Sequence, residues 1–209
     1  MSHPVLRGLY AITPDITDTH LLIEQVQAAL TGGCRLVQYR DKLTDAPTRR
    51  LRAQQLLDCC RSANATLIIN DDVELALQIG ADGVHLGGED GDWAAARSAL
   101  GPNRILGTSC YADLANAEKA VAAGASYVAF GAMFPSATKP NAPSASLELA
   151  GRAHHQLPIP ICAIGGITVD NVASLLITGV DMVAVITNLF LAPNIAARAA
   201  EFQRLFQET

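Results

Sequence analysis

The sequence contains few charged residues, and they are not concentrated in any one segment. Asp, Glu, Lys and Arg make up 17% of the 209 residues, the net charge is −5, and no basic block occurs. Nucleic-acid binding normally shows a basic patch or stripe, so this composition argues against it. No run reaches the roughly 18 uninterrupted apolar residues of a membrane span, and the N-terminus lacks the apolar core of a signal peptide. We therefore expect no nucleic-acid or membrane partner and a cytoplasmic location.

Disulfide frameworks and zinc sites also lack support. The five cysteines are odd in number and form no Cys-x-x-Cys pair. We expect them to be reduced thiols, most of them buried. Half of the residues are hydrophobic, which suffices for a substantial core, and no change of composition marks a linker. We expect one domain over residues 1–209.

Short β-rich runs alternate with amphipathic helical stretches along the whole chain. Such alternation is typical of a parallel sheet covered by helices. Several helical stretches end in glycine, for instance at Gly80 and Gly124, and the next strand follows at once. The predicted strands cover residues 8–14, 36–42, 66–71, 83–87, 104–110, 127–134, 159–166 and 182–188.

Eight such units are the number that a closed barrel requires, although the chain is short for that fold. The alternative is an open doubly wound sheet, which usually has a glycine-rich turn after its first strand. Residues 11–15, where that turn would lie, contain no glycine. We predict an α/β protein with a single-domain (β/α)8 TIM barrel, and chemistry at the carboxyl ends of its strands.

Polar and cationic side chains stand where the second predicted strand ends. Gln38, Arg40 and Lys42 share one face of an extended chain, because side chains alternate with a period of two. An amide and two cations there are suited to a polyanion. The alternative is a polar strand end whose charges are solvated.

Two carboxylates follow the third and fourth predicted strands. Asp71 comes after Asn70, and Asp90 lies in the segment after the fourth strand. Neighbouring strands lie about 4.8 Å apart, so both carboxylates could reach one Mg²⁺, which binds a few hard oxygens together with substrate phosphate. The alternative is that each aspartate caps the following helix.

The remaining strand ends carry weaker signals. Ser109 ends the fifth strand, and Ser136, Thr138 and Lys139 lie in a proline-rich loop after the sixth, which could close over an anion. Gly165-Gly166 ends the seventh strand, where backbone N–H groups can approach phosphate, and Thr187 stands at the end of the eighth. The alternatives are a capping serine, a solvated loop and a tight turn without ligand. Two anion sites at one mouth predict a transferase that joins two phosphorylated molecules and releases diphosphate.

With these residues, the chain resembles the thiamine-phosphate synthase family, whose members are (β/α)8 enzymes. The resemblance runs from Gly8 to about Phe190 and rests on the order of its motifs: Gln-x-Arg-x-Lys, Ile-Asn-Asp, Asp-Gly-Val-His-Leu-Gly-x-x-Asp, Gly-x-Ser, Ser-x-Thr-Lys and Gly-Gly-Ile. It implies that 4-amino-2-methyl-5-hydroxymethylpyrimidine diphosphate and 4-methyl-5-(2-phosphoethyl)thiazole form thiamine phosphate and diphosphate.

The resemblance also implies a role for each residue. Arg40, Lys42, Ser109 and Lys139 would act on the diphosphate, with Gln38 and Asn70 beside them. Asp71 and Asp90 would hold Mg²⁺. Ser136 and Thr138 would meet the thiazole, and Gly166 and Thr187 its phosphate.

Three positions depart from the family pattern. Gly88 stands where glutamine is common, which puts part of the pyrimidine contact in question. Tyr111 replaces a frequent histidine, and Thr187 replaces the usual serine but keeps the hydroxyl. Two other functions stay open: a thiazole tautomerase of the same superfamily and a non-catalytic sensor of phosphate ligands. The sequence leaves open the oligomeric state, with a homo-oligomer compatible, and also the choice between the thiazole phosphate and its carboxylated form.

Overall fold

The computed structural model describes residues 6–87, 92–135 and 145–208. Eight parallel strands form a closed barrel in the order of the sequence, and the last strand pairs with the first. The predicted (β/α)8 barrel is therefore confirmed. The strands are β1 (Gly8–Ile12), β2 (Leu36–Tyr39), β3 (Thr66–Asn70), β4 (Gly83–Leu86), β5 (Ile105–Tyr111), β6 (Tyr127–Phe130), β7 (Ile161–Ile164) and β8 (Met182–Val185).

Helices connect these strands, and α9 packs against α1 and beneath β1, beside the junction of the first and last strands. None of the helices within the described ranges has the length and apolar character needed to cross a membrane. The helices are α1 (Thr19–Thr31), α2 (Ala46–Ser62), α3 (Val73–Ile79), α4 (Trp93–Leu100), α5 (Leu114–Ala122), α6 (Leu147–Gln156), α7 (Val172–Leu176), α8 (Thr187–Phe190) and α9 (Ile195–Gln207).

Most helices begin at a residue whose side chain accepts a hydrogen bond from a backbone N–H of the first turn. Such caps satisfy donors that the helix itself leaves unpaired. Each of these caps fixes the residue at which its helix begins. The capping residues are Asp18, Asp45, Asp72, Asp92, Asp113, Ser146 and Asn194.

The apolar residues pack in two layers. The larger layer lies between the barrel and its helices. The smaller layer fills the barrel interior and contains Tyr10, Leu36, Ile68 and Tyr127. Gly107 makes room there, because a Cβ on it would lie 2.1 Å from Cζ of Tyr127. The interior is therefore a packed core, and the open space lies at the strand ends.

The strands are shorter than predicted at most of the ends that carry polar residues. The second strand ends at Tyr39 and the eighth at Val185, so Arg40, Lys42 and Thr187 lie beyond the sheet. Thr187 begins the short helix α8, which the sequence pattern did not indicate. All five cysteines are free, and four of them are buried, as predicted.

Candidate active site

Arg40 and Lys42 lie in the loop that follows β2, and the loop after β1 holds them. The hydroxyl of Thr13 donates to the carbonyl of Arg40 and accepts from its N–H, both at 2.9 Å. Asp15 accepts from the guanidinium of Arg40 at 2.8 Å and from the backbone N–H of Lys42 at 3.3 Å. Residues 40–44 form the cationic loop. Its backbone and the Arg40 side chain are thus anchored, while the Lys42 side chain remains 60% exposed.

The end of β3 faces this cationic loop. The amide of Asn70 donates to Oδ2 of Asp71 at 2.6 Å, and Nζ of Lys42 lies 4.0 Å from the same oxygen. Asp71 has a φ of 62°, in the left-handed region that few residues other than glycine adopt. The helix cap is the neighbouring Asp72, whose side chain accepts from the N–H of Leu75. The capping alternative for Asp71 is therefore wrong.

A cleft of about 470 Å³ opens between the loops after β2 and β3. Lys42, Asn70 and Asp71 line it together with Arg49. Within the described ranges, no group of three or more His, Cys, Asp and Glu side chains converges as a metal centre. One carboxylate and one amide suit Mg²⁺, which takes few protein oxygens and completes its shell with water and phosphate.

A chain of hydrogen bonds crosses the barrel interior and joins two predicted site residues. Oγ of Ser109 lies 2.8 Å from Nε2 of His85, whose Nδ1 lies 2.9 Å from the hydroxyl of Tyr127. That hydroxyl is 2.8 Å from the hydroxyl of Tyr10, which accepts from the amide of Gln38 at 2.8 Å. Burial raises the pKa of both tyrosines, so they stay protonated. Gln38 and Ser109 are thus linked through the core.

Gln38 does not share an open surface with Arg40 and Lys42. It is 3% exposed and lies inside the barrel with its amide nitrogen bonded to Tyr10. The predicted common face extends only as far as the strand, because the alternation of side chains stops at Tyr39. The structure therefore places Gln38 in the barrel interior, whereas Arg40 and Lys42 follow the strand in the loop.

The predicted phosphate-monoester site lies at the ends of β7 and β8, which are neighbours in the barrel. Gly166 has a φ of 62°, and its carbonyl accepts from the amide of Asn171 at 3.0 Å. Asn188, next to Thr187, accepts from the N–H of Val169 at 3.3 Å. The structure thus brings the Gly166 and Thr187 segments together, although the helix α7 begins six residues after Gly166.

Four predicted site residues lie outside the described residues. Asp90 belongs to residues 88–91, as does the departure Gly88, and Ser136, Thr138 and Lys139 belong to residues 136–144. Of the predicted set, the structure therefore arranges Lys42, Asn70 and Asp71 around one cleft, with Arg40 in the same loop as Lys42. Ser109 is linked to Gln38 through His85 and the two tyrosines, and Gly166 and Thr187 lie in the segments after neighbouring strands.

Sequence reasoning missed the groups that support the cationic loop. Asp41 lies between Arg40 and Lys42 but is 4% exposed, and it pairs at 3.1 Å with Arg52, which is 1% exposed. Burial alone would raise the pKa of Asp41. Hydrogen bonds from Thr44, from the N–H of Leu43 and from the hydroxyl of Tyr39 outweigh it and hold that pKa below its ordinary value.

This lowered pKa predicts a pH-dependent contribution to stability. The ionised Asp41 stabilises the fold fully above its unfolded pKa of about 4, and the contribution fades as pH falls toward the folded pKa. The difference in unfolding free energy between the wild type and Asp41→Asn should be constant from about pH 7 to 5 and narrow below about pH 4. Urea unfolding at several pH values measures it. A difference that does not change with pH would contradict the ionised role.

These features define a (β/α)8 barrel whose polar side chains gather at the carboxyl ends of its strands, where barrel enzymes carry out their chemistry. The family described as thiamine monophosphate synthase matches residues 9–189. The chain belongs to this family.

Individual relatives match over nearly the whole length. A thiamine-phosphate synthase of Methylobacillus flagellatus is 54% identical over 205 residues, which cover 98% of both chains. One of Aromatoleum aromaticum is 54% identical and covers 96% of this chain and 97% of the relative. Among solved structures, a thiamine phosphate pyrophosphorylase of Pyrococcus furiosus has a TM-score of 0.87 at 33% identity and covers 98% of this chain and 97% of its own.

Proposed function

We propose that this chain is a thiamine-phosphate synthase, a transferase that joins the pyrimidine diphosphate to the thiazole phosphate and releases diphosphate. The observation that carries the proposal is the arrangement of Lys42, Asn70 and Asp71 around one cleft, with Lys42 Nζ 4.0 Å from Asp71 Oδ2. Arg40 lies in the same loop as Lys42. Full-length similarity to proteins named for this activity supports it.

The cationic loop would bind the diphosphate of the pyrimidine substrate. Arg40 keeps free donors while it pairs with Asp15, because a guanidinium carries five N–H groups in a fixed fork. Lys42 adds an exposed charge that can follow the anion. Charge-assisted hydrogen bonds of this kind are about twice as strong as neutral ones. Asn70 would contribute an amide beside them, and Gln38 would meet the pyrimidine from the barrel interior.

Asp71 and Asp90 would hold Mg²⁺ against the same diphosphate. Asp71 fits this role because it lines the cleft. Its backbone is in the left-handed conformation, so it belongs to the loop and not to the following helix. Bound there, Mg²⁺ would neutralise part of the charge that the leaving group gains. The Asn70 amide at 2.6 Å fixes the Asp71 carboxylate in the orientation seen here.

The other substrate would lie across the mouth. The backbone at Gly166 and the hydroxyl of Thr187 would take the thiazole phosphate, the usual location for phosphate in such barrels. Ser136 and Thr138 would meet the thiazole ring. Ser109 and Lys139 would contact the diphosphate between the two, with Ser109 oriented by its 2.8 Å bond to His85.

The chemistry needs no protein nucleophile. The bond between the pyrimidine methylene carbon and the diphosphate oxygen breaks, and its electron pair leaves on the oxygen. The electron-rich aminopyrimidine supports the methylene cation, which the lone pair of the thiazole nitrogen then attacks to form the C–N bond. The protein therefore contributes charge neutralisation, orientation and exclusion of water.

A thiazole tautomerase of the same superfamily is the nearest alternative. It would need the site at β7 and β8 but no diphosphate site. Arg40 and Lys42 weigh against it, since a tautomerase gives these cations no diphosphate to bind, and it gives Asp71 no metal to hold. A sensor would bind both ligands without turnover, and a pair of metal-binding carboxylates is harder to explain in it.

The deciding experiment measures diphosphate release by the purified protein with both substrates and Mg²⁺, omitting each component in turn. We expect one diphosphate for each thiamine phosphate formed, and none when any component is missing. Folded protein that releases no diphosphate with intact substrates would refute the synthase. A thiazole tautomerisation assay on the same protein then tests the alternative directly.

A further inference from the structure

Arg52 is a buried arginine whose contacts all lie next to the candidate site. It stands on α2 and is 1% exposed. Its Nε donates to the hydroxyl of Thr19 at 2.9 Å, and its terminal nitrogens donate to the carbonyls of Ile16, at 2.8 Å, and of Thr17. These acceptors belong to the loop after β1 and the start of α1. One guanidinium therefore fastens the β1–α1 loop, which carries Asp15.

The same guanidinium fastens the cationic loop through Asp41. Oδ2 of Asp41 accepts from Arg52 at 3.1 Å, from the Tyr39 hydroxyl at 2.8 Å and from the Thr44 hydroxyl at 2.6 Å. Its Oδ1 accepts from two backbone N–H groups, those of Leu43 and Thr44. The loop from residue 41 to 44 is thus folded around this carboxylate.

Neighbouring residues of the cationic loop have different roles. Asp41 points into the protein and is anchored, while its neighbours Arg40 and Lys42 carry the cationic groups of the mouth. Arg52 holds the Asp41 side and also the loop whose Asp15 accepts from Arg40 and Lys42. The guanidinium of Arg40 and the backbone of Lys42 are therefore both held by a loop that Arg52 anchors.

Stability alone does not account for such a pair. Desolvation of two charges offsets much of their attraction, and apolar residues of similar size are often as stable or more so. Preorganisation does account for it, because charged groups act on an anion only from fixed positions, and a 1 Å displacement can lower a rate about 10²-fold.

We propose that Arg52 and Asp41 are positioning residues that hold Arg40 and Lys42 at the spacing a diphosphate requires. The proposal rests on the proposed function for the identity of the substrate, but the binding of diphosphate can be measured without turnover. Arg52 does not line the cleft, and the side chain of Asp41, which borders it, is only 4% exposed, so both would act through the cationic loop.

The test compares Arg52→Met and Arg52→Lys with a matched control, Arg97→Met. Arg97 is also a helix arginine that donates to backbone carbonyls and a serine hydroxyl, namely Gly101, Arg104, Gly124 and Ser126. Its acceptors lie in loops that precede strands, at the opposite end of the barrel. Loss of either arginine removes four hydrogen bonds, but only those of Arg52 include a carboxylate and lie at the carboxyl ends of the strands.

Three quantities are measured for each variant: the Kd for inorganic diphosphate with Mg²⁺, the KM of each substrate, and the urea midpoint. For Arg52→Met we expect the diphosphate Kd and the KM of the pyrimidine diphosphate to rise about tenfold or more, with the KM of the thiazole phosphate within about twofold. Arg52→Lys keeps the charge and should recover part of the loss. Arg97→Met should lower the urea midpoint and leave both KM values unchanged.

The outcomes separate this proposal from the proposed function. If Arg52 and Arg97 variants lose stability alike and neither shifts the diphosphate Kd, Arg52 is only structural and the positioning role is refuted. If Arg52→Met does not fold, Arg52→Lys and Asp41→Asn carry the same comparison. The wild type could bind diphosphate and yet show no synthase activity. A higher diphosphate Kd in the variants would then still support the positioning role, while the proposed synthase function would be refuted.

Discussion

Replacing Asp71 by Asn should lower kcat by about 10² to 10³-fold, the loss typical when one preorganised electrostatic group is removed from a developing charge. Asn is the informative substitution because it matches aspartate in size and, like aspartate, tolerates the left-handed backbone that φ of 62° demands. Alanine would add backbone strain and confuse the two effects. The Mg²⁺ concentration that gives the half-maximal rate should rise as well, which a titration of the metal measures.

The neighbouring carboxylate supplies the control. Asp72 caps α3 through the N–H of Leu75, so Asp72→Ala should lower the unfolding free energy by about 1 kcal/mol and leave the response to Mg²⁺ as in the wild type. Equal Mg²⁺ responses in Asp71→Asn and the wild type would remove Asp71 from the metal site. The same comparison at Asp90 tests the second proposed ligand.

The second large effect is expected from Gly166→Ala. A Cβ at this position would lie 2.6 Å from the carbonyl oxygens of both Phe134 and Pro135, and its φ of 62° is strained for alanine. The backbone of either segment must shift, which costs on the order of 1–3 kcal/mol. We expect the KM of the thiazole phosphate to rise about tenfold or more and that of the pyrimidine diphosphate to change far less.

Gly151 offers a matched control for this substitution. It lies in α6, and the nearest atom to an added Cβ, that of Thr178, is 3.9 Å away. Gly151→Ala should therefore be neutral or stabilising by up to about 1 kcal/mol, with both KM values unchanged. If Gly166→Ala loses stability but binds the thiazole phosphate as the wild type does, the phosphate site lies elsewhere on the barrel.

Gly166 packs against the segment after β6, so the proposed sites for the thiazole phosphate and the thiazole ring are adjacent. Phe134 N–H donates to the carbonyl of Gly165 at 3.1 Å, so the segment after β6 runs alongside the glycine pair. Ser136 and Thr138, proposed to meet the thiazole ring, follow directly in the sequence. A substitution at Gly166 is therefore expected to disturb the ring contact together with the phosphate contact.

The amino-acid sequence by itself determined the barrel fold and showed that the polar residues gather at the carboxyl ends of its strands. Alternation of β-rich and amphipathic stretches predicted eight parallel strands, because each pattern can bury its apolar side only against the other. Polar residues after successive strands then had to meet, since parallel strands bring their carboxyl ends to one edge. This reasoning placed Arg40, Lys42, Asn70 and Asp71 together, and in the structure Lys42, Asn70 and Asp71 line one cleft, with Arg40 in the same loop as Lys42.

Only the tertiary structure decided how these groups are held. The inward direction of Gln38 follows from alternation, but its partner Tyr10 and the further chain through Tyr127 to Ser109 depend on strand register. The two tyrosines are 117 residues apart in the sequence, and no local pattern connects them. The distinction between Asp71 and the helix cap Asp72 likewise depends on one backbone angle.

Arg52 shows the limit most clearly. On an amphipathic helix an arginine is normally read as solvent-exposed, and nothing near it in the sequence distinguishes it from Arg49 or Arg50. Its burial follows from the meeting of the loops after β1 and β2 over α2, where carbonyl oxygens and Asp41 supply acceptors. Local sequence determines which residues can form helices and strands, whereas the partners of a buried charge exist only once distant segments have closed around it.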